Sequence, residues 1–213
     1  MSTIGSVATF VAALALGALL WTLGEYVLHR FAMHALDGKG IMSREHLEHH
    51  VHSAWHFSFT HILSWAGMLA VGFGAWLPLT WWLLGPVAGF GVAIGWALGY
   101  FFYEYVHAVA HLRPPTGRYS RWLRLHHFHH HFGHPLANHG VSTLVWDRVF
   151  GTLETPEVVR VPRRLALPWL VDAEGELRPE FEGQYVLVGA ADPSARLAGI
   201  DRARAFASLA PVD

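Results

Sequence analysis

Long apolar runs without a single charge dominate the first two thirds of the chain. Residues 1–24 contain no Asp, Glu, Lys or Arg, and neither do residues 49–103, 55 positions in a row. A membrane-spanning helix needs about 20 mostly apolar residues. The first run fits one span, 4–27, and the second fits two, 61–77 and 86–106. Leu77-Pro78 and Gly85-Pro86 fall where the second and third spans need a connection. A helix pair in place of one span would raise the count to four. A cleaved leader is the other reading of residues 1–21. That run has no basic start, however, and exceeds the about 7–15 apolar residues of a leader. The pattern predicts an all-α integral membrane bundle of three to four spans with a helical cap at one face.

Charge sharpens this organisation. Only 15% of the 213 residues are charged, while 53% are hydrophobic. Residues 1–151 hold 14 of the charged side chains and residues 152–213 hold 17. The composition therefore breaks near Gly151, predicting a membrane domain, 1–151, and a water-exposed extension, 152–213. Arg30, Lys39 and Arg44 follow the first span, and Arg113, Arg118, Arg121 and Arg124 follow the third. By the positive-inside rule, the 30–58 loop and everything after 107 face the cytoplasm, in the inner membrane if the source is bacterial. In the extension, 167–171 and 184–188 read as short strands around the Asp172-Ala-Glu-Gly175 turn, and 195–209 as a short amphipathic helix. A formal charge of −1 argues against a nucleic-acid partner. The absence of cysteine excludes a disulfide framework and any thiolate-ligated metal.

Against that apolar background stand 17 histidines. Ten fall into four spaced sets: His29-Arg-Phe-Ala-Met-His34, His46-Leu-Glu-His49-His50, His107-Ala-Val-Ala-His111, and His127-Phe-His-His130-His131. Residues three and four apart share a helix face, so each set after the first offers converging imidazoles. Neutral imidazole is a good ligand for iron, zinc, copper and nickel. Ten ligands exceed what one ion can take, which points to two metals. Carboxylates are too few for a Glu-rich site. Residues 1–151 hold only Glu25, Asp37, Glu45, Glu48, Glu104 and Asp147. Glu25, Glu48 and Glu104 sit beside the sets and are candidates to accept the second ring N–H of a bound imidazole. Asp147 with Arg148 is a candidate ion pair ordering the segment after the last set. Trp55, Phe57, Tyr103 and Trp146 are candidates to line an acyl channel. His52, His56, His61, His126, His129, His134 and His139 fall outside the spacings.

In this order, HxxxxH, HxxHH, HxxxH, HxxHH, the motifs resemble those of the fatty acid hydroxylase (sterol desaturase) superfamily, integral-membrane di-iron enzymes. Tyr103-Glu-Tyr-Val-His-Ala-Val-Ala-His111 matches the end of that family's third span. Gly140-Val-Ser-Thr-Leu-Val-Trp-Asp-Arg-Val-Phe-Gly-Thr152 matches its closing signature. The resemblance covers roughly residues 20–155 and is nearest to fatty acid 2-hydroxylases acting on sphingolipid acyl chains. It implies that His29, His34, His46, His49, His50, His107, His111, His127, His130 and His131 ligate two irons. Zinc can replace iron on purification. It further implies O2 as co-substrate and a lipid substrate drawn from the bilayer. Two electrons would come from a separate donor, a ferredoxin or cytochrome with its reductase, since no fused cytochrome domain is recognisable. A desaturase or a carotenoid or sterol ring hydroxylase could use the same site. Two readings outside that class are a membrane metal-binding or transport protein and a bis-histidine haem carrier. A transporter places its ionisable residues along the spans, and a haem carrier does not need HxxHH triplets.

Overall fold

The computed structural model describes residues 2–190 and 192. It is mostly helical, and three helical runs are long and apolar enough to cross a membrane: Thr3–Ala35, Phe59–Leu84 and Pro86–Leu112. The first begins as α1, Thr3–Val27, whose first turn is capped by the Ser2 hydroxyl accepting from the Gly5 N–H at 3.2 Å. It does not end there. The chain continues without a break through a π-helical segment, Leu28–Ala35, which carries the first histidine set.

The second run differs from its sequence reading. The helix α3, Phe59–Val71, passes through a π segment, Gly72–Trp76, into α4, Leu77–Leu84. Pro78 therefore lies within the helical run. It stands in the first turn of α4, where the missing N–H is tolerated. The turn falls at Gly85 alone, with φ 89°, and Pro86 opens α5, Pro86–Leu112.

The central contact is α1 against α5. Gly91, Gly95 and Gly99 recur every four residues on the α5 face that meets α1. A Cβ on Gly95 would strike the Leu14 carbonyl, and one on Gly17 the Val92 carbonyl. The two backbones thus touch, the small-residue packing that stands in for hydrophobic drive inside lipid. Below it Trp21, Trp96, Tyr100 and Tyr103 form a buried aromatic cluster. The outer α3–α4 run buries almost nothing of itself, as expected of a lipid-facing helix.

The cap carries the remaining sets. Helix α2, Ile41–His52, and helix α6, Arg118–Phe132, lie beyond the spans, followed by the short α7, Val145–Val149. After Thr152 the chain packs back onto the cap. Strand β1, Val159–Pro162, lies against α6 and pairs in parallel with β2, Tyr185–Val188, with Val159 opposite Tyr185. Val159, Val161, Leu167, Trp169, Leu170, Phe181 and Tyr185 share one core cluster with Val106, Ala110, Leu123 and Phe128. The strand expected over 184–188 is present, but 167–171 is not one. Among the described residues its only ladder contact is the isolated Val171–Leu177 bridge that closes the Asp172 turn. The partner strand, β1, lies upstream, where Pro162 and the preceding Glu-rich stretch mask an alternating pattern. The helix expected over 195–209 lies outside the described residues.

Candidate metal centre

All ten patterned histidines converge at the cap end of the bundle, in two groups of five. His29, His34, His46, His50 and His130 form the first, and His49, His107, His111, His127 and His131 the second. Within each, one ring nitrogen per residue lies within 4.8 Å of the others. The two HxxHH helices divide their ligands in opposite senses. Helix α2 sends His46 and His50 to the first group and His49 to the second. Helix α6 sends His130 to the first and His127 and His131 to the second. Each group is completed by the pair at one span end, so the whole has an approximate two-fold logic.

The first pair needs an unusual backbone. Residues five apart on an α-helix point to different faces. In the π segment Leu28–Ala35 the ladder runs i→i+5, which brings His29 and His34 onto one face. Their Nε2 atoms reach His46 at 3.0 and 2.9 Å. The α-helical pair His107 and His111 needs no such device, and both approach His49 Nε2 at 3.2 Å.

Proton placement shows what these contacts require. A carbonyl oxygen only accepts, so a ring nitrogen bonded to one must carry the proton and, in the neutral imidazole, the other ring nitrogen a lone pair. His29 Nδ1 donates to the His139 carbonyl at 2.5 Å and His130 Nδ1 to Ala137 at 2.7 Å. His111 Nδ1 donates to Ser53 at 3.0 Å and His49 Nδ1 to Ala54 at 3.4 Å. The His49 and His111 Nε2 atoms, 3.2 Å apart, therefore face each other lone pair to lone pair. That arrangement is repulsive unless a shared cation lies between. Two nitrogens holding one ion at right angles, each at about 2.1 Å, stand about 3.0 Å apart. The first group shows 2.9, 3.0 and 3.1 Å. His131 adds two buried ring nitrogens without a hydrogen-bond partner among the described residues. The residues present thus fit two metal ions. Burial also pushes the cap imidazoles His46, His127, His130 and His131 well below their ordinary pKa, with His49 at about 4 and His50 at about 3. At neutral pH they stand in the ligand form.

The orienting partners are backbone carbonyls, and the carboxylates act one step further back. Glu25 accepts from the Val141 and Ser142 N–H groups at 2.5 and 2.7 Å and from the Ser142 hydroxyl. Asp147 accepts from the His139 and Gly140 N–H groups, both at 2.8 Å, and from Thr152. Arg148 is exposed, so the ion pair expected with Asp147 gives way to these bonds and to His126 at 3.4 Å. Glu25 and Asp147 together clamp the loop whose Ala137 and His139 carbonyls orient His130 and His29. Glu48 and Glu104 touch no ligand imidazole among the described residues; both line a cleft. Two non-glycine residues with left-handed backbone, Ser53 (φ 52°) and Asn138 (φ 56°), sit at these orienting carbonyls. Such strain persists where a site requires it. No spacing rule would have found them.

The cleft, about 380 Å³, opens between α2, α3 and α5 and reaches His46, His49 and His107. That volume suits a small-molecule ligand. Trp55, Tyr103, Leu63 and Met68 line it, as do His52, His56 and His61, and no Lys or Arg does among the described residues. Phe57 is exposed, and Trp146 turns away to bond Thr22 at 2.9 Å. His129 and His134 each bond Glu154 at 2.7 Å on the surface. All seven unpatterned histidines thus have a place.

Comparison with known proteins then decides the family. The fatty acid hydroxylase family model matches residues 14–152, a stretch that contains every histidine of both groups. The chain belongs to the fatty acid hydroxylase family. It is 32% identical to human fatty acid 2-hydroxylase over 146 residues, 67% of this chain and 39% of that protein. It is 30% identical to the dihydroceramide fatty acyl 2-hydroxylase of Arabidopsis thaliana over 149 residues, 68% of this chain and 62% of the relative. This family member thus spans about two fifths of the human protein. Its fold is similar to that of full-length scs7p, of which only the hydroxylase domain is visible. The TM-score is 0.52 at 24% identity, over 74% of this chain and 59% of the other.

Proposed function

We propose that this chain is an O2-dependent membrane hydroxylase that inserts one oxygen atom into a C–H bond of a fatty acyl lipid. The observation that carries this reading is the floor of the cleft. His46 of one group and His49 and His107 of the other form part of the same cavity wall, so a chain lying there meets both metal groups. His29, His34, His46, His50 and His130 would hold one iron, and His49, His107, His111, His127 and His131 the other. Five imidazoles per ion exceed the four-coordinate preference of structural zinc and leave room for an exogenous ligand. When bound, the iron pair supplies reductive O2 chemistry, in which one oxygen atom enters the substrate and the other leaves as water.

The chain's own residues do the rest. The Ala137, His139, Ser53 and Ala54 carbonyls fix ring tautomers, so that lone pairs point inward. The apolar wall of Leu63, Met68 and Trp55 accepts a hydrocarbon chain and excludes water. The cleft, without Lys or Arg among the described residues, offers no cation to select an anionic head. The names of the relatives, fatty acid and dihydroceramide 2-hydroxylases, support an acyl substrate. The basic residues after the first and third spans support a cytoplasmic metal site, within reach of a separate ferredoxin- or cytochrome-type donor.

The test is lipid mass spectrometry after expression with iron and a reducing system. A lipid heavier by one oxygen, absent with His130→Ala, is the expected result. Product formation by that variant would overturn the ligand assignment, and a product lighter by two hydrogens would make the chain a desaturase.

A further inference from the structure

The second histidine group is braced by residues that lie outside the family-matched segment. The last turn of α5 leaves its carbonyls without intrahelical partners, as every helix end does. Here those of Val109, Ala110 and His111 are claimed. Arg124, 1% exposed, donates to the Val109 carbonyl at 2.7 Å and to Arg113 at 2.6 Å. The indole N–H of Trp169, 5% exposed, is shared between the Ala110 and His111 carbonyls at 3.2 and 3.1 Å. Its ring lies under the Arg124 guanidinium, 5.5 Å away, and packs on Phe128 at 6.0 Å. Phe128 in turn meets the rings of His111 at 5.2 Å and His127 at 5.5 Å. Behind it Trp169 is anchored by Phe181 at 5.2 Å and by Tyr185 of β2.

We propose that Trp169 is a positioning residue for the second metal, holding His111 through the carbonyl end of α5. This rests on the two-metal reading above. Its consequence is an asymmetry. The first group is oriented by Glu25, Asp147 and Asn138, all within residues 14–152. The second is oriented by Ser53 and Ala54 within that stretch but is also braced by a segment that the family model does not cover. The parallel β1–β2 pair is then the support that keeps Trp169 in place, and the extension is part of the metal centre.

The test measures metal content and chelator-driven metal release in the full-length, iron-loaded protein in detergent. Trp169→Phe keeps a packing ring and removes only the N–H. It is expected to leave one ion released at the wild-type rate and to weaken retention of the other about 10- to 100-fold, the usual effect of losing an orienting partner. Arg124→Lys, which thins the same set of donors, is expected to give the same asymmetry in smaller measure and serves if the Phe variant folds poorly. On a His111→Ala background, Trp169→Phe is expected to add nothing to the release of the remaining ion. Two ions with wild-type release in both variants would overturn the proposal, as would parallel loss of both ions. Fewer than two ions in the wild type would instead overturn the reading on which it rests.

Discussion

The two histidine groups each hold five imidazoles, but in two different ways. The first sits under a loop. Its rings are aimed by carbonyls that Glu25 and Asp147 fix through four backbone N–H bonds. Its span-end pair needs a π segment to converge. The second sits on helix ends. Its span-end pair is plain α-helix, Ser53 at the end of α2 orients His111, and the segment after Thr152 closes the end of α5. One ligand geometry can thus rest on buried carboxylates or on aromatic packing. Perturbations should separate the two.

Loss of a ligand should have the largest effect. His127→Ala removes one nitrogen from the second group. It is expected to bring product to background and to lower metal content to about half in metal analysis, with the first ion kept. Loss of both ions would show that the groups are one cooperative unit.

Acid should be next in size, and should not discriminate. Both groups contain imidazoles that burial holds below their ordinary pKa of 6.5, such as His49 at about 4 and His50 at about 3. Below pH 6.5 the unfolded chain takes up protons that the folded chain refuses. The stability of metal-free protein is thus full above about 6.5 and falls as pH drops toward the folded values. Denaturant melts from pH 7 to 4 should show a monotonic decline. A flat profile would contradict the burial of neutral imidazoles.

A smaller, selective effect is expected of Asp147→Asn. Burial alone would raise the pKa of this carboxyl, but the nearby His126 ring and bonds from the Gly140 N–H and Thr152 outweigh it and hold it low. The amide replacement loses acceptors for buried N–H groups, a cost of about 1–3 kcal/mol. It should loosen the first ion in release assays and leave the second untouched, the mirror image of Trp169→Phe. Smallest is Glu154→Gln. Its bonds to His129 and His134 are at the surface, where such pairs contribute roughly 1 kcal/mol or less. Metal retention at both groups should be unchanged.

Much of this was readable from the sequence because the signals are periodic. Charge-free runs of span length and the i, i+3, i+4 spacing of His46, His49 and His50 carry their meaning in their period. What was not readable lacks one. The HxxxxH spacing converges only because residues 28–35 are π-helical, and Pro78 fits inside a helix only because it falls in the first turn after a second π segment. The carbonyls of Ser53, Ala137 and His139 have no side-chain signature. Position in the sequence suggests Glu25 as a partner of a bound imidazole and Asp147 as a partner of Arg148, but both instead hold a loop more than a hundred residues from Glu25. The charge break at Gly151 hid the extension's buried face, since Trp169, Phe181 and Tyr185 are scattered among its charges.

The central claim is that ten imidazoles hold two ions, five to each. Metal analysis joined to X-ray absorption on the purified, iron-loaded chain tests it most directly. Two irons per chain, each with about five nitrogen neighbours near 2.1 Å, is the expected result. One iron per chain, or a shell dominated by carboxylate oxygen, would contradict it.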